Sequence, residues 1–279
     1  MFILEMLKAI LIGIVEGVTE WLPISSTGHM ILLDEFIRLD VSKEFKELFL
    51  MVIQLGAIFA VPTLFFEKLN PFSARKNEAE KQNTWNLWLK VLVGVAPAAV
   101  FGILLDDLCD KYLHNYVVVS IALIVYGIAF ILIEKYSSKI SRRVERVEDL
   151  SYQDALKIGA FQLLSLVPGT SRSGSTIIGG LLTGVSREVS AEFSFFMAIP
   201  IMIGISGLKI LKFIIKGFTA TLAEIALLLI GMAVAFAVSY FAIKFLIDFV
   251  KRHDFKPFGI YRICLGVVVV SYFVIKTLV

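Results

Sequence analysis

IGIVEGVTEWLPISSTGHMI, residues 12–31, begins as an apolar membrane helix and then breaks. Pro23 interrupts the run, and Glu16, Glu20, Ser25, Ser26, Thr27 and His29 crowd around it. Proline lacks the helical N–H donor and clashes with the preceding turn, so the segment reads as helix, polar turn, second helix. IGAFQLLSLVPGTSRSGSTII, residues 158–178, follows the same plan. A shift of 146 residues pairs Ile12 with Ile158, Gly13 with Gly159, Ser25 with Ser171, Gly28 with Gly174 and Ile31 with Ile177.

Around these two stretches the 279-residue chain is 58% hydrophobic and 18% charged, with a mean hydropathy of +0.84. That is the composition of an integral membrane protein. A net charge of +3 gives no footprint for nucleic acid and directs the search for partners to membrane lipids. Apolar runs long enough to cross about 30 Å of hydrocarbon lie at 48–66, 86–105, 116–133, 193–215, 222–246 and 259–278. The interrupted segments, 5–33 and 155–184, are poor straight helices. The expected fold is an all-α integral membrane protein, a single transmembrane domain over 1–279, with six transmembrane helices plus two re-entrant helical hairpins. Each interrupted segment is followed by three spans, so hairpins that enter and leave on one side give two inverted-topology repeats, about 1–135 and about 150–279.

Basic residues set the expected orientation. Loops 67–85 (Lys68, Arg75, Lys76, Lys81) and 134–154 (Lys135, Lys139, Arg142, Arg143, Arg146) read as cytoplasmic. Loop 106–115, with only Lys111, reads as external, as does 34–47. Lys209, Lys212 and Lys216 fit less cleanly and read as snorkelling, or as lining an entrance for anionic headgroups. The opening MFILEMLKAILIGIVEGVTEWL has the length of a signal peptide but carries Glu5, Glu16 and Glu20 without a small-residue cleavage site, and is expected to be retained. Cys109 and Cys264 have no CxxC spacing and read as packing residues.

Glu16 and Glu20 share one helix face, one turn apart. Carboxylates at membrane depth face a polar cavity or a partner. This pair suits proton transfer or, together with phosphate oxygens, a divalent cation such as Mg²⁺ or Ca²⁺. After Pro23, Ser25 or Ser26 is a candidate N-cap for a half-helix whose free N–H groups form an anion site. His29, one turn beyond Ser26, brings an imidazole within reach of a hydroxyl, the outline of an activated nucleophile. In the second break Arg172 stands among Ser171, Ser173, Ser175 and Thr176, donors matched to phosphate oxygens. Such a pocket suits hydrolysis of a phosphorylated lipid. An anion site between broken helices would equally serve a transporter or flippase of a phosphorylated lipid.

EGVTEWLPISSTGH (16–29), PGTSRSGSTI (168–177), EFSFFMAIPIM (192–202) and FGIYRICLG (258–266) together resemble the bacterial undecaprenyl-diphosphate phosphatases, or bacitracin-resistance proteins, through nearly the whole chain. Trp21 in place of a smaller aromatic is a conservative variation within the motifs. The resemblance implies a homodimeric enzyme of the bacterial cytoplasmic (inner) membrane, with six spans and two inverted hairpins. It implies removal of the terminal phosphate of undecaprenyl diphosphate at the outer face, recycling the carrier lipid for peptidoglycan synthesis and removing the target of bacitracin. It also implies stimulation by a divalent cation, for which Glu16 and Glu20 are the evident ligands. The family's catalytic groups fall on Glu16, Glu20, Ser26, His29 and Arg172, and its substrate-binding hydroxyls on Ser171, Ser173 and Thr176, with Ser25 and Thr27 beside Ser26. Ser26 as nucleophile with His29 as acid/base is favoured, with attack by His29 as the alternative.

Overall fold

The computed structural model describes residues 2–113, 115–137 and 139–278. They form helices α1 (Phe2–Thr19), α2 (Ser26–Phe36), α3 (Lys43–Ile58), α4 (Ala60–Leu64), α5 (Phe66–Leu69), α6 (Glu78–Leu113) and α7 (Tyr116–Ser137) in the first half. The second half contains α8 (Tyr152–Gln162), α9 (Arg172–Leu182), α10 (Arg187–Ile215), α11 (Leu222–Arg252) and α12 (Lys256–Leu278). Among the described residues the only β-pairing is an isolated parallel bridge between Val144 and Val185.

Six helices are long and apolar enough to cross a membrane: Lys43–Leu64, Glu78–Leu105, Tyr116–Ser137, Arg187–Ile215, Leu222–Arg252 and Lys256–Leu278. They match the six spans expected from the sequence. The first runs through α3 and α4 and is interrupted at Phe59, where Pro62 cannot donate to the carbonyl of Ile58. The external loop expected at 106–115 is much shorter, because α6 continues to Leu113. No glycine or proline lies in ILLDDLCDKYL (103–113) to end it.

Large apolar side chains such as Ile103, Leu104, Leu132, Ile215 and Leu229 stand exposed on the outside, which suits lipid as the solvent. Cys264 is exposed on this surface and is not the packing residue expected, since it shares the outer side of α12 with Ile260 and Tyr261. The interior holds Phe45, Phe49, Ile53, Phe193, Phe195 and Phe196.

Backbones approach closely where glycine leaves no side chain in the way. Gly13 and Gly17 of α1 face the carbonyls of Gly231 and Ala235 on α11, where a Cβ would come within 2.7 and 2.8 Å. Both registers increase together, so α1 and α11 run parallel. Gly159 of α8 lies against Gly94 of α6, and Lys90 donates to the Glu148 carbonyl at 2.8 Å. Thus α8 and α6 are also parallel. Helix α3 runs antiparallel to α10, tied by Lys209–Glu47 (3.3 Å) and by the Ser206 hydroxyl donating to the Met51 carbonyl (2.9 Å), while further along Lys68 of α5 reaches Glu192 near the start of α10 (2.7 Å). Lys209 therefore has a defined carboxylate partner and is not simply snorkelling. Helices α7 and α12 are antiparallel as well, with Tyr116 stacked on Phe273 and Phe130 against Phe255.

Candidate active site

Both sequence breaks end in the same local structure. Ser25 (φ 73°) and Ser171 (φ 72°) are the only described non-glycine residues with positive φ, a conformation costing an L-residue roughly 1–2 kcal/mol. Each caps the half-helix that follows: Ser25 Oγ accepts from the Gly28 N–H at 3.3 Å, and Ser171 Oγ from the Gly174 N–H at 3.1 Å. The cap hydroxyl offsets part of the strain and fixes the start of α2 at Ser26 and of α9 at Arg172. The first helical residue of each half-helix is thus a candidate site residue.

Glu20 joins the two breaks. Its Oε2 accepts from the Ser26 hydroxyl at 2.8 Å, its Oε1 from Arg172 Nη2 at 3.3 Å, and its main-chain carbonyl from the Ser173 hydroxyl at 3.3 Å. Arg172 Nη1 donates to the Ser194 carbonyl on α10 at 2.9 Å, and its guanidinium lies 5.9 Å from the Trp21 ring centroid. Trp21 is fully buried, edge-on to Phe195 at 5.3 Å, and supplies a wall beneath the cation. Arg172 Nε is buried without a partner, as is Glu16 Oε1 one turn before Glu20. Unpaired buried polar atoms are costly. These two can accommodate a donor or acceptor on a bound molecule.

The expected contact between Ser26 and His29 is not the one formed. His29 Nδ1 lies 2.7 Å from the Ser25 carbonyl, which can only accept, so Nδ1 carries the proton. In the neutral ring Nε2 then accepts from the Tyr261 hydroxyl at 2.7 Å. The two rings are nearly parallel with centroids 5.6 Å apart. Ser26 has turned instead to the carboxylate of Glu20, a stronger acceptor than a neutral imidazole.

The remaining hydroxyls have distinct places. Ser171 and Ser173 Oγ atoms are 3.1 Å apart, while Thr176 Oγ1 is buried 2.7 Å from Ser194 Oγ and stiffens the α9–α10 junction. Ser25 is buried as a cap, and Thr27 is half-buried beside Ser26 on α2. The sequence reading did not single out Tyr261, Ser194 or Arg262. The last is fully buried in α12 and donates to Pro23 O (3.2 Å) and Gly169 O (2.8 Å). An arginine inside the apolar run 259–278 was the available signal.

Helices and centre together define a multi-pass membrane protein in which two interrupted helices meet around a carboxylate, a guanidinium, an imidazole and several hydroxyls. The chain belongs to the family described as bacitracin resistance protein BacA, whose model matches residues 9–268. It is similar to the undecaprenyl-diphosphatase of Enterococcus faecalis, 57% identical over 265 residues that cover 95% of this chain and 96% of the relative. The undecaprenyl-diphosphatase of Streptococcus gordonii is 54% identical over 279 residues, covering 100% and 99%. That of Lactiplantibacillus plantarum is 53% identical over 270 residues, covering 97% and 98%.

Proposed function

We propose that the protein is a membrane phosphatase that hydrolyses undecaprenyl diphosphate to undecaprenyl phosphate and inorganic phosphate. This recycles the carrier lipid of cell-wall synthesis and confers bacitracin resistance. The observation that carries the chemical reading is the bond from Ser26 to Glu20, whose other oxygen is held by Arg172. A hydroxyl on a carboxylate base at the positive end of one half-helix, with a guanidinium at the start of the other, is the equipment of phosphoryl transfer.

In this mechanism Arg172, the N–H groups of α2 and α9, and the hydroxyls of Thr27, Ser171 and Ser173 hold the terminal phosphate. Ser26 Oγ attacks phosphorus as Glu20 takes its proton, and the bond to the bridging oxygen breaks, releasing undecaprenyl phosphate. Water then cleaves the phosphoserine, with His29 Nε2 and the Tyr261 hydroxyl able to move its proton. Attack by His29 would first require its bond with Tyr261 to open. Of the carboxylates Glu16 and Glu20, both oxygens of Glu20 are engaged by Ser26 and Arg172, so the unpartnered buried oxygen of Glu16 is the one that would hold a divalent cation such as Mg²⁺ or Ca²⁺, with phosphate oxygens completing its shell. Such an ion would neutralise diphosphate charge.

Two inverted repeats, about 1–135 and about 150–279, account for the architecture. In support, α1 lies parallel to α11 as α8 does to α6, and α3 pairs antiparallel with α10 as α7 does with α12. Exchanging the halves maps each pairing onto another or onto itself. With membrane crossings alternating in direction, the parallel neighbours carry α1 and α8 in from opposite sides, as re-entrant hairpins whose tips meet. We take the protein to lie in the cytoplasmic membrane, with basic loops 67–85 and 134–154 supporting their assignment to the inner side, with the centre reached from the outer face and with a homodimer as the working unit.

Phosphate release from undecaprenyl diphosphate by purified protein in detergent, with and without Mg²⁺ or Ca²⁺, tests the function. Stoichiometric phosphate and undecaprenyl phosphate are expected. Binding without release would favour the transporter, whose broken-helix plan the fold shares.

A further inference from the structure

Arg262 has no use in the chemistry above, yet it is 0% exposed in the apolar helix α12 and, among the described residues, makes no ion pair. Burying a guanidinium without a carboxylate is expensive, so its placement needs a reason. Nη1 donates to Pro23 O at 3.2 Å and Nη2 to Gly169 O at 2.8 Å. These carbonyls belong to different halves of the protein, each two residues before a positive-φ serine, and they are 146 residues apart, the shift that relates the two breaks. A guanidinium presents two equivalent terminal nitrogens in a rigid plane, suited to reading two symmetry-related acceptors. Gly174 leaves the space: a Cβ there would lie 3.3 Å from Nη1. Helix α12 is a firm base, since Gly127 and Gly259 pack backbone to backbone and Gly266 lies against the Ser120 carbonyl.

We propose that Arg262 is a positioning residue, a rivet between the two breaks that sets the distance between the starts of α2 and α9. It thereby lets Arg172 and Ser26 meet on Glu20. The proposal rests on the phosphatase reading for its kinetic consequence but not for its structural one. With both terminal nitrogens engaged on main-chain carbonyls, Nε buried without a partner, and no exposed surface, Arg262 acts on substrate only through the residues it aligns. Loss of the rivet would shift groups whose misplacement by about 1 Å costs about a hundredfold in rate.

The test uses the full-length protein as Arg262→Lys and Arg262→Ala. Lysine keeps the charge but cannot span two carbonyls, so kcat should fall about a hundredfold in both variants. Millimolar guanidinium should restore the alanine variant about tenfold, by refilling the fork site, whereas equal urea or sodium chloride should not. Hydrogen exchange should show both breaks, within 20–30 and 166–176, losing protection together while α7 and α12 keep theirs. Should the alanine variant fail to fold, the lysine variant decides through the same exchange measurement. Lysine retaining normal turnover with both breaks protected, or protection lost throughout α7 and α12, would overturn the rivet. An inactive parent protein would instead sink the phosphatase reading, leaving the exchange result to decide Arg262.

Discussion

Glu20 carries three demands at once: it holds the Ser26 proton, anchors Arg172, and presents its main-chain carbonyl to Ser173. Glu20→Gln keeps the shape but replaces the acceptor of Ser26 by a weaker base, so turnover should fall by at least about a hundredfold while the protein stays folded. Arg172→Ala should cost about 3 kcal/mol of transition-state stabilisation, again roughly a hundredfold. Arg172→Lys should recover little, since a single ammonium cannot bond Glu20 and the Ser194 carbonyl as a fork does. Ser26→Ala should leave no covalent phosphoenzyme; an acid-labile, alkali-stable adduct in that variant would transfer the attack to His29. The residue types of this centre were legible in the sequence, because charges and hydroxyls stand out in an apolar chain. Their pairing was not. Spacing along α2 put His29 within reach of Ser26, but the competing acceptor, Glu20, comes from across the break, and the partner of His29 lies 232 residues away on α12.

The half-helices depend on their caps. Ser171→Gly should relieve the positive φ while losing the side-chain bond, two effects that oppose each other. Ser171→Ala loses the bond and keeps the strain, so thermal unfolding should show a cost of about 1 kcal/mol for alanine and less for glycine. At the start of α8, outside the spans, Ser151 is the cap and Asp154 its reciprocal partner in a capping box. Asp154 accepts from Ser151 and pairs with Arg143. Burial pushes the Asp154 carboxyl up, but the bonds from Arg143 and Ser151 outweigh it and hold it below the usual aspartate range. A depressed carboxyl contributes stability above its unfolded pKa of about 3.9, which is lost as pH falls through the folded value. Asp154→Asn should therefore destabilise at neutral pH and make little difference in strong acid. The breaks themselves were readable from Pro23 and from Pro168-Gly169. The extra length of α6 was not, because hydrophobicity ends near Leu105 while DDLCDKYL (106–113) carries the helix on without a Gly or Pro to stop it.

At the scale of the molecule, six spans followed directly from apolar runs, whereas the packing of α1 on α11 and α8 on α6 rests on glycine contacts between distant parts of the chain. Sequence spacing does not encode such contacts, although the 146-residue shift between the two breaks motivates the proposed relation between the halves. The proposed inverted repeats make a topological prediction. Single cysteines at Gly217 and Asp40 should react with an impermeant thiol reagent from one side of the membrane, and cysteines at Ser141 and Asn77 from the other, in a background lacking Cys109 and Cys264. Labelling of all four from one side would refute that topology. The central claim, that chemistry occurs where the two breaks meet, is tested most directly by the rate of phosphate release from undecaprenyl diphosphate by the purified parent protein, Arg172→Ala and Arg143→Ala side by side. Release by the parent, roughly a hundredfold loss at Arg172 and near-parental turnover at Arg143, which lies outside the centre, follow from that claim. Equal release by the parent and Arg172→Ala would contradict it.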